Sequence, residues 1–482
     1  MRVTQTRTVL AGLCALAISL PAAAQVRRAD DLRFPPLRDF AIPQPQRVVL
    51  DNGMVVMLLE DHELPLVEAT ALVRAGSRLD PAAKSGLGEL TASVLRTGGT
   101  TAMPSQKLDD YLESRAATVE VLPGEAVTRA TLSSLVQDFP AVLKVFADVL
   151  RRPAFDPQRL EVARNRMITN VARQNDDPGQ IVSREFTELV YGPDSPYSRT
   201  ETFETLRALS RDDLAAWHRE NVHPDRIVLG LVGDFRSEEA LRLIREAFGD
   251  WPRGPASQAA ADLPYRKEPS PGVYYVRKDD VTQSNVVLGH LGIERKDPDY
   301  YAVEVVNEVL SGSSSSRLFS NIRTLQGLAY SVFGQVGSDW DHPGLTLLYL
   351  STKTETTGAA IASMLTEARN LVGPKPPTDA EVARAKQTIL NSFVFNSESR
   401  RQVLSQQLAY EAYGYPLDWL SRYRAGIEAV TPEQVRQAAA RHLRPADFSI
   451  LVVGPSEGRD RPLADFGPVQ EIDIALPGAS HE

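Results

Sequence analysis

Metal chemistry is the first possibility raised by the histidines of this chain. Seven occur: His62, His218, His223, His290, His342, His442 and His481. Zinc held on a helix needs two ligands one turn apart and a carboxylate between them to act as base on the bound water, as in His-x-x-Glu-His. No histidine here stands in that arrangement or in its inverse, and none is paired with the single cysteine, Cys14. His218 and His223 are five residues apart, a poor helical spacing for two ligands of one ion. Their segment, AAWHRENVHPDRIVLGLVGDF, reads as a helix end entering a strand, so both are expected to be structural or solvent-facing. Nucleophilic chemistry fares no better, because the chain has no Gly-x-Ser-x-Gly elbow and no glycine-rich phosphate loop. What remains is a small-residue run, Ser313 to Ser316, then Arg317, and Tyr330 thirteen residues on. A guanidinium can grip a carboxylate or main-chain carbonyl with five fixed donors. A phenol can donate to a carbonyl oxygen and to the oxyanion formed when water attacks it. On spacing alone, the same two residues also fit a solvated Arg at a helix start and a packed Tyr in a strand.

The elements that would position such residues begin after a targeting segment. Arg2 and Arg7 precede an apolar run over 9–20 and a small-residue stretch, Pro21-Ala22-Ala23-Ala24-Gln25. This pattern predicts a secretory signal peptide cleaved after Ala24 and a periplasmic destination. Leu13 before Cys14 is a poor match to a lipid-attachment site. No later stretch is apolar enough to span a bilayer. The mature chain would hold no cysteine, which suits a large domain with its own core. Its length, roughly 450 residues, suggests two or three domains. The net charge of -9 is mixed along the chain, and without a basic stripe nucleic acid is not an expected partner.

Residues 25–45 are polar and proline-rich and read as an extended lead-in. From 46 to 252 the pattern becomes regular. Val48 to Leu59 read as a hairpin around Asp51-Asn52-Gly53, and the alternation at Val67, Ala69, Ala71 and Val73 predicts a half-buried strand. Helices are expected over 85–97, 139–150 and 158–173, and a buried strand over 227–234. The Pro/Ala/Gly-rich stretch 253–271 reads as a linker, after which the order restarts over 272–456 with strands at 273–276 and 285–291, a helix over 300–310 and a closing strand at 448–454. Two halves that begin and end alike suggest duplication. Residues 457–482 read as a polar tail.

The segment RAGSRLDPAAKSGLGELTASVLRTGGT, from Arg74 to Thr100, resembles the pitrilysin/insulinase family of zinc peptidases, which includes the mitochondrial processing peptidases. The resemblance extends over nearly the whole mature chain. It implies an α+β fold of two homologous domains, each a mixed sheet packed with helices, forming a clamshell. Active members carry His-x-x-Glu-His on the helix after Ser-Gly-Leu and a further Glu on a later helix. In this chain the two His positions are Glu89 and Ser93, the base position is Ala92, and the later ligand falls on Asn170. All four have changed, so no metal is expected here. The helix should still be amphipathic, with Glu89, Ala92, Ser93 and Arg96 on one face and Leu87, Leu90, Val94 and Leu95 on the other.

A second resemblance to the same family lies in SGSSSSRLFSNIRTLQGLAYSVFGQV, from Ser311 to Val336, which places the family's substrate-holding Arg and Tyr on Arg317 and Tyr330. The combination implies the non-catalytic, substrate-binding subunit of a heterodimeric zinc peptidase. Its expected partners are a zinc-bearing homologous chain and peptide substrates, with zinc in the partner and no cofactor in this chain. It lacks the long glycine-rich insertion of the non-catalytic mitochondrial subunit. The alternative is a stand-alone peptide-binding or scaffold protein without peptidase activity.

Overall fold

The computed structural model describes residues 43–255 and 263–476. The expected signal peptide, nearly all of the lead-in, the middle of the linker and the end of the tail lie outside these residues.

The first half builds a six-stranded sheet from β1 (Gln46–Val49), β2 (Val55–Glu60), β3 (Leu66–Val73), β4 (Thr118–Leu122), β5 (Thr128–Leu135) and β6 (Ile227–Gly233), in the order β1-β2-β6-β3-β5-β4. The second half contributes β7 (Gly272–Arg277), β8 (Gln283–Leu291), β9 (Ile293–Glu294), β10 (Ser331–Gln335), β11 (Ser338–Asp339), β12 (Leu345–Lys353), β13 (Ser449–Gly454) and β14 (Val469–Glu471). Its six-stranded sheet runs β14-β7-β13-β8-β12-β10, with β9 and β11 as a separate parallel pair. Five strands of each sheet superpose in order and direction, while the sixth differs, since β1 is antiparallel to β2 and β14 parallel to β7. β2 with β6 and β7 with β13 are parallel, and the three pairings that follow toward β4 and β10 are antiparallel in both sheets. A shared mixed topology of this kind bears out the internal repeat, although few residues match between the halves.

Local sequence explains most element boundaries. The helix Pro157–Arg173 starts where Asp156 accepts the amides of Gln158 and Arg159, with a proline at the first helical position. Phe139–Arg151 buries Phe139, Val142, Leu143, Phe146, Val149 and Leu150 at helical spacing against the first sheet's core. In β3, Val67, Ala69 and Ala71 are buried while Glu68 and Thr70 between them are half-buried, as the alternation predicts. β6 and β13, by contrast, are buried at every residue. Such continuous apolar runs need cover on both faces of the sheet.

That cover is exchanged between the halves. The helix Pro178–Tyr191 of the first half lays Ile181, Val182, Phe186 and Val190 against Val276, Val287, Leu451 and Val453 of the second sheet. The helix Arg400–Tyr413 of the second half lays Leu404 and Leu408 against Val55, Met57, Leu72, Val228 and Val232 of the first. Gly230 in β6 makes the second contact possible, since a Cβ there would stand 2.7 Å from Leu408 Cδ1. Polar ties flank both helices. Arg47 grips Glu411 through two bonds of 2.9 and 2.8 Å, Arg401 pairs with Glu68 at 2.9 Å, and the Tyr191 hydroxyl donates to the Pro343 carbonyl at 2.7 Å.

Two expectations change. The segment after Gly454 is not simply a tail: Val469–Glu471 pairs in parallel with β7, and Ile472 and Ile474 pack on the same cluster as Pro178–Tyr191. Only Ile472 and Ile474 alternate with polar residues there, and Val469 is out of phase with them, so the run is too short to announce itself as a strand. The helix expected over 300–310 is α-helical over Tyr300–Asn307 and widens into a π-turn over Glu308–Gly312, just ahead of the small-residue loop.

The exchange makes the interface part of the core. Leu408→Ala should cost about 2–5 kcal/mol, and Phe186→Ala about 3–5 kcal/mol, each measured by denaturant unfolding. In both variants the two halves should lose structure in a single transition.

Candidate functional site

The helix Leu87–Thr97 is the element on which a metal motif would lie. Its start is fixed by the buried Asp80, whose two carboxylate oxygens accept the Gly88 amide at 2.9 and 3.0 Å. A Cβ on Gly88 would meet Asp80 Oδ1 at 3.0 Å and the Trp217 ring at 3.1 Å, so the helix approaches its neighbours only as glycine allows. Burial raises the Asp80 carboxyl to about 6, against the amide bonds that favour its charged form.

Leu87, Leu90, Val94 and Leu95 are buried, as expected. Glu89, Ser93 and Arg96 are half-buried on the opposite side. Ala92, by helical spacing on the same side, is nevertheless only 1% exposed and packs with the core, because its methyl group is too short to reach past its neighbours. Asn170 is exposed on the helix Pro157–Arg173. Burial raises the Glu89 carboxyl above its ordinary range, Glu201 and Asp80 add to this, and Arg166 opposes it.

These residues do not fit zinc. A lone carboxylate beside a serine, an alanine and a neutral amide supplies one ligand and no base. The nearby acids do not replace the lost histidines, since the one group of His, Cys, Asp and Glu close enough to share an ion among the described residues is Asp297, Asp299 and His442, in the other half. There, Asp299 is already held by Arg441 and by His442 Nε2 at 2.7 Å. Of the remaining histidines, His218 is buried with Nε2 against the Leu150 carbonyl at 2.8 Å, in keeping with a structural role, and His223 is a short contact to the Glu220 carbonyl.

Arg317 and Tyr330 lie on either side of a second π-turn, Phe319–Leu325. Arg317 is engaged within the chain. Its Nε and Nη2 donate to the two oxygens of Glu381, both at 2.8 Å, and its Nη1 and Nη2 reach the carbonyls of Lys375 and Pro376 at 2.5 and 3.0 Å. Glu381 also accepts the amide and hydroxyl of Thr378, each at 2.9 Å, closing the capping box of the helix Asp379–Ser392. Thr378-x-x-Glu381 is legible as a helix start, but nothing local says that an arginine 64 residues upstream will join it. Tyr330 has the opposite setting. It is 85% exposed at the entry to the edge strand β10, with the Arg323 guanidinium 5.3 Å from its ring. The structure therefore gives the two side chains different neighbours.

Comparison with known proteins accords with this geometry. The model described as "Insulinase (Peptidase family M16)" matches residues 55–195, and "Peptidase M16 inactive domain" matches residues 208–389. The chain belongs to the M16 family. Among its relatives, an uncharacterised zinc protease of Streptomyces coelicolor is 25% identical over 422 residues, covering 85% of this chain and 89% of that one. The non-peptidase homologue YmxG of Helicobacter pylori is 23% identical over 402 residues, covering 83% and 91%. A crystal structure of a peptidase M16 inactive domain from Pseudomonas fluorescens superposes with a TM-score of 0.78 at 26% identity, over 87% of this chain and all of that one. This M16 chain thus shares the fold of its solved relative, and its sequence holds neither His-x-x-Glu-His nor the inverse of it.

Two outcomes follow from the site. After dialysis against zinc the chain should retain less than one equivalent, whereas E89H/S93H/N170E should retain about one, both read by metal analysis. The Arg317 fork, with the Thr378 donors adding to it against partial burial, holds the Glu381 carboxyl down to about 2. A depressed carboxyl stabilises the fold above its unfolded pKa of about 4.3. That stability should fade as the pH falls toward 2, and E381Q should lack this part of the acid dependence of the unfolding midpoint.

Proposed function

We propose that this chain is the non-catalytic, substrate-binding subunit of a periplasmic heterodimeric zinc metallopeptidase. The observation that carries the reading is the asymmetry of loss. The positions of the metal motif hold a single carboxylate and no histidine or base, while the fold around them and the segment from Ser313 to Tyr330 are kept. A metal-less chain that keeps a peptide-holding phenol is useful beside a chain that holds the metal.

Tyr330 is the stronger of the two proposed contacts. Its hydroxyl is free to reach a peptide carbonyl, and Leu325 and Phe333 near it are also exposed, which leaves apolar surface for a substrate or a partner. Arg317 acts in this reading through the loop it holds, Lys375 to Thr378, and through whatever donor capacity its internal partners leave. The N-terminal pattern of basic, apolar and small residues supports export to the periplasm.

One observation favours a second reading. Because Arg317 is satisfied within the chain, a stand-alone peptide-binding or scaffold protein would need no second subunit to complete it. Mixing separates the two. Zinc content and cleavage are measured for this chain, for a zinc-bearing homologue from the same organism, and for their mixture. Activity confined to the mixture, with zinc confined to the homologue, supports the subunit reading. Zinc-dependent cleavage by this chain alone overturns both readings, and a monomer that binds peptide without any gain on mixing favours the second. In an active mixture Tyr330→Phe should lower kcat on the order of 10²-fold with assembly unchanged. Arg317→Ala should lower stability by about 1.5–3 kcal/mol as well as cleavage.

A further inference from the structure

A cavity of about 840 Å³ opens in the second half between the helix Thr357–Val372, the small-residue loop and the segment from Lys375 to Thr378 that Arg317 holds. Glu367 lines it. Helical spacing sets this residue between Met364 and Leu371, which are buried in the second core, and it is itself only 9% exposed. Its carboxylate makes no hydrogen bond or ion pair among the described residues. Ser363, one turn earlier on the helix, does have a partner, the Gln326 amide at 2.9 Å.

The other carboxylates of the cavity are matched inside the chain. Glu381 is filled by Arg317 and Thr378, and Asp379 takes Arg436 Nη1 at 3.0 Å. Lys375 is exposed, and its ammonium pairs with no carboxylate among the described residues. The side-chain amides of Asn321 and Asn370 line the same space, half-buried and likewise without a partner among the described residues. A carboxylate taken from water and given no donor is costly, and one that faces open space rather than packed core can be reached by a donor from outside.

We propose that this cavity binds a primary ammonium group, with the buried Glu367 as its counter-ion and the Asn321 and Asn370 amides on the polar groups beside it. An anion would meet an unpaired carboxylate, and a neutral group would leave the buried charge uncompensated. A divalent ion would need further anionic oxygens, and those of Glu381 and Asp379 are already engaged. No aromatic ring lines the cavity, so a compact ammonium suits it better than a flat guanidinium. The group can belong to a Lys side chain of a peptide or to a free diamine. Only the peptide source rests on the proposed function; recognition of the charge stands on this chain's own cavity, with no second subunit.

The test is calorimetric titration of the full chain alone with blocked Gly-Lys-Gly and with putrescine, and with blocked Gly-norleucine-Gly as the neutral counterpart. Saturable one-to-one binding of an amine is expected, with the norleucine peptide weaker than the lysine peptide by at least about tenfold, as for loss of one partner of a charge-assisted bond. E367Q keeps the shape of the side chain and removes its charge, so it should retain the wild-type melting profile and weaken the amine by a similar factor. K375Q, which removes a positive charge from the exposed wall, should fold and bind the amine more tightly. Tighter binding of the peptide assigns a side chain, and tighter binding of putrescine assigns a free amine. Absence of saturable binding by both amines, equal binding of the norleucine peptide, binding unchanged in a folded E367Q, or weaker binding in K375Q would overturn the proposal.

Discussion

A strand that is apolar along its whole length must be covered on both faces, and in this molecule neither half covers its own central strand alone. One face of β6 rests on the first half's helices and the other on Leu404 and Leu408 from the second half. The face of β13 turned from its own helices rests on Ile181, Val182 and Phe186 from the first. Most of the remaining architecture follows from satisfying these two faces. The exchange fixes how the sheets lie relative to each other. It sets Arg78 of one half beside Asp341 of the other.

Much of this was legible where the signal is local. Alternation marks β3, unbroken apolar runs mark β6 and β13, and helical spacing marks Phe139–Arg151 and Leu87–Thr97. The absence of His-x-x-Glu-His from the helix Leu87–Thr97 could be read directly, because that spacing lies within one helix. The burial of Ala92 could not, since its place on the helical circle is shared with Glu89, Ser93 and Arg96 and only its short side chain leaves it covered. The exchanged helix Arg400–Tyr413 was not legible, since Arg400, Arg401, Gln402, Ser405, Gln406 and Gln407 make it polar and its apolar partners are more than 160 residues away in sequence. The only local trace of the contact is a glycine in the middle of an otherwise bulky strand, Gly230.

The same division holds for the site residues. Arg317 and Tyr330 were singled out by resemblance, Arg317 directly after the small-residue loop and Tyr330 thirteen residues on. Their environments came from distant segments. Glu381 claims the guanidinium from a helix start that serves its own capping needs, and only the folded chain shows that one carboxylate performs both tasks.

Reciprocal cover also orders events in time. A ribosome releases the first half long before residues 400–413 exist, so the outer face of the first sheet stays greasy and open until almost the whole chain has been made. Two duplicated units that could each have folded as they emerged are instead bound to a common finish. A chain truncated anywhere before the helix Arg400–Tyr413 would leave β2 and β6 as an uncovered apolar surface, the kind that holding chaperones and proteases recognise.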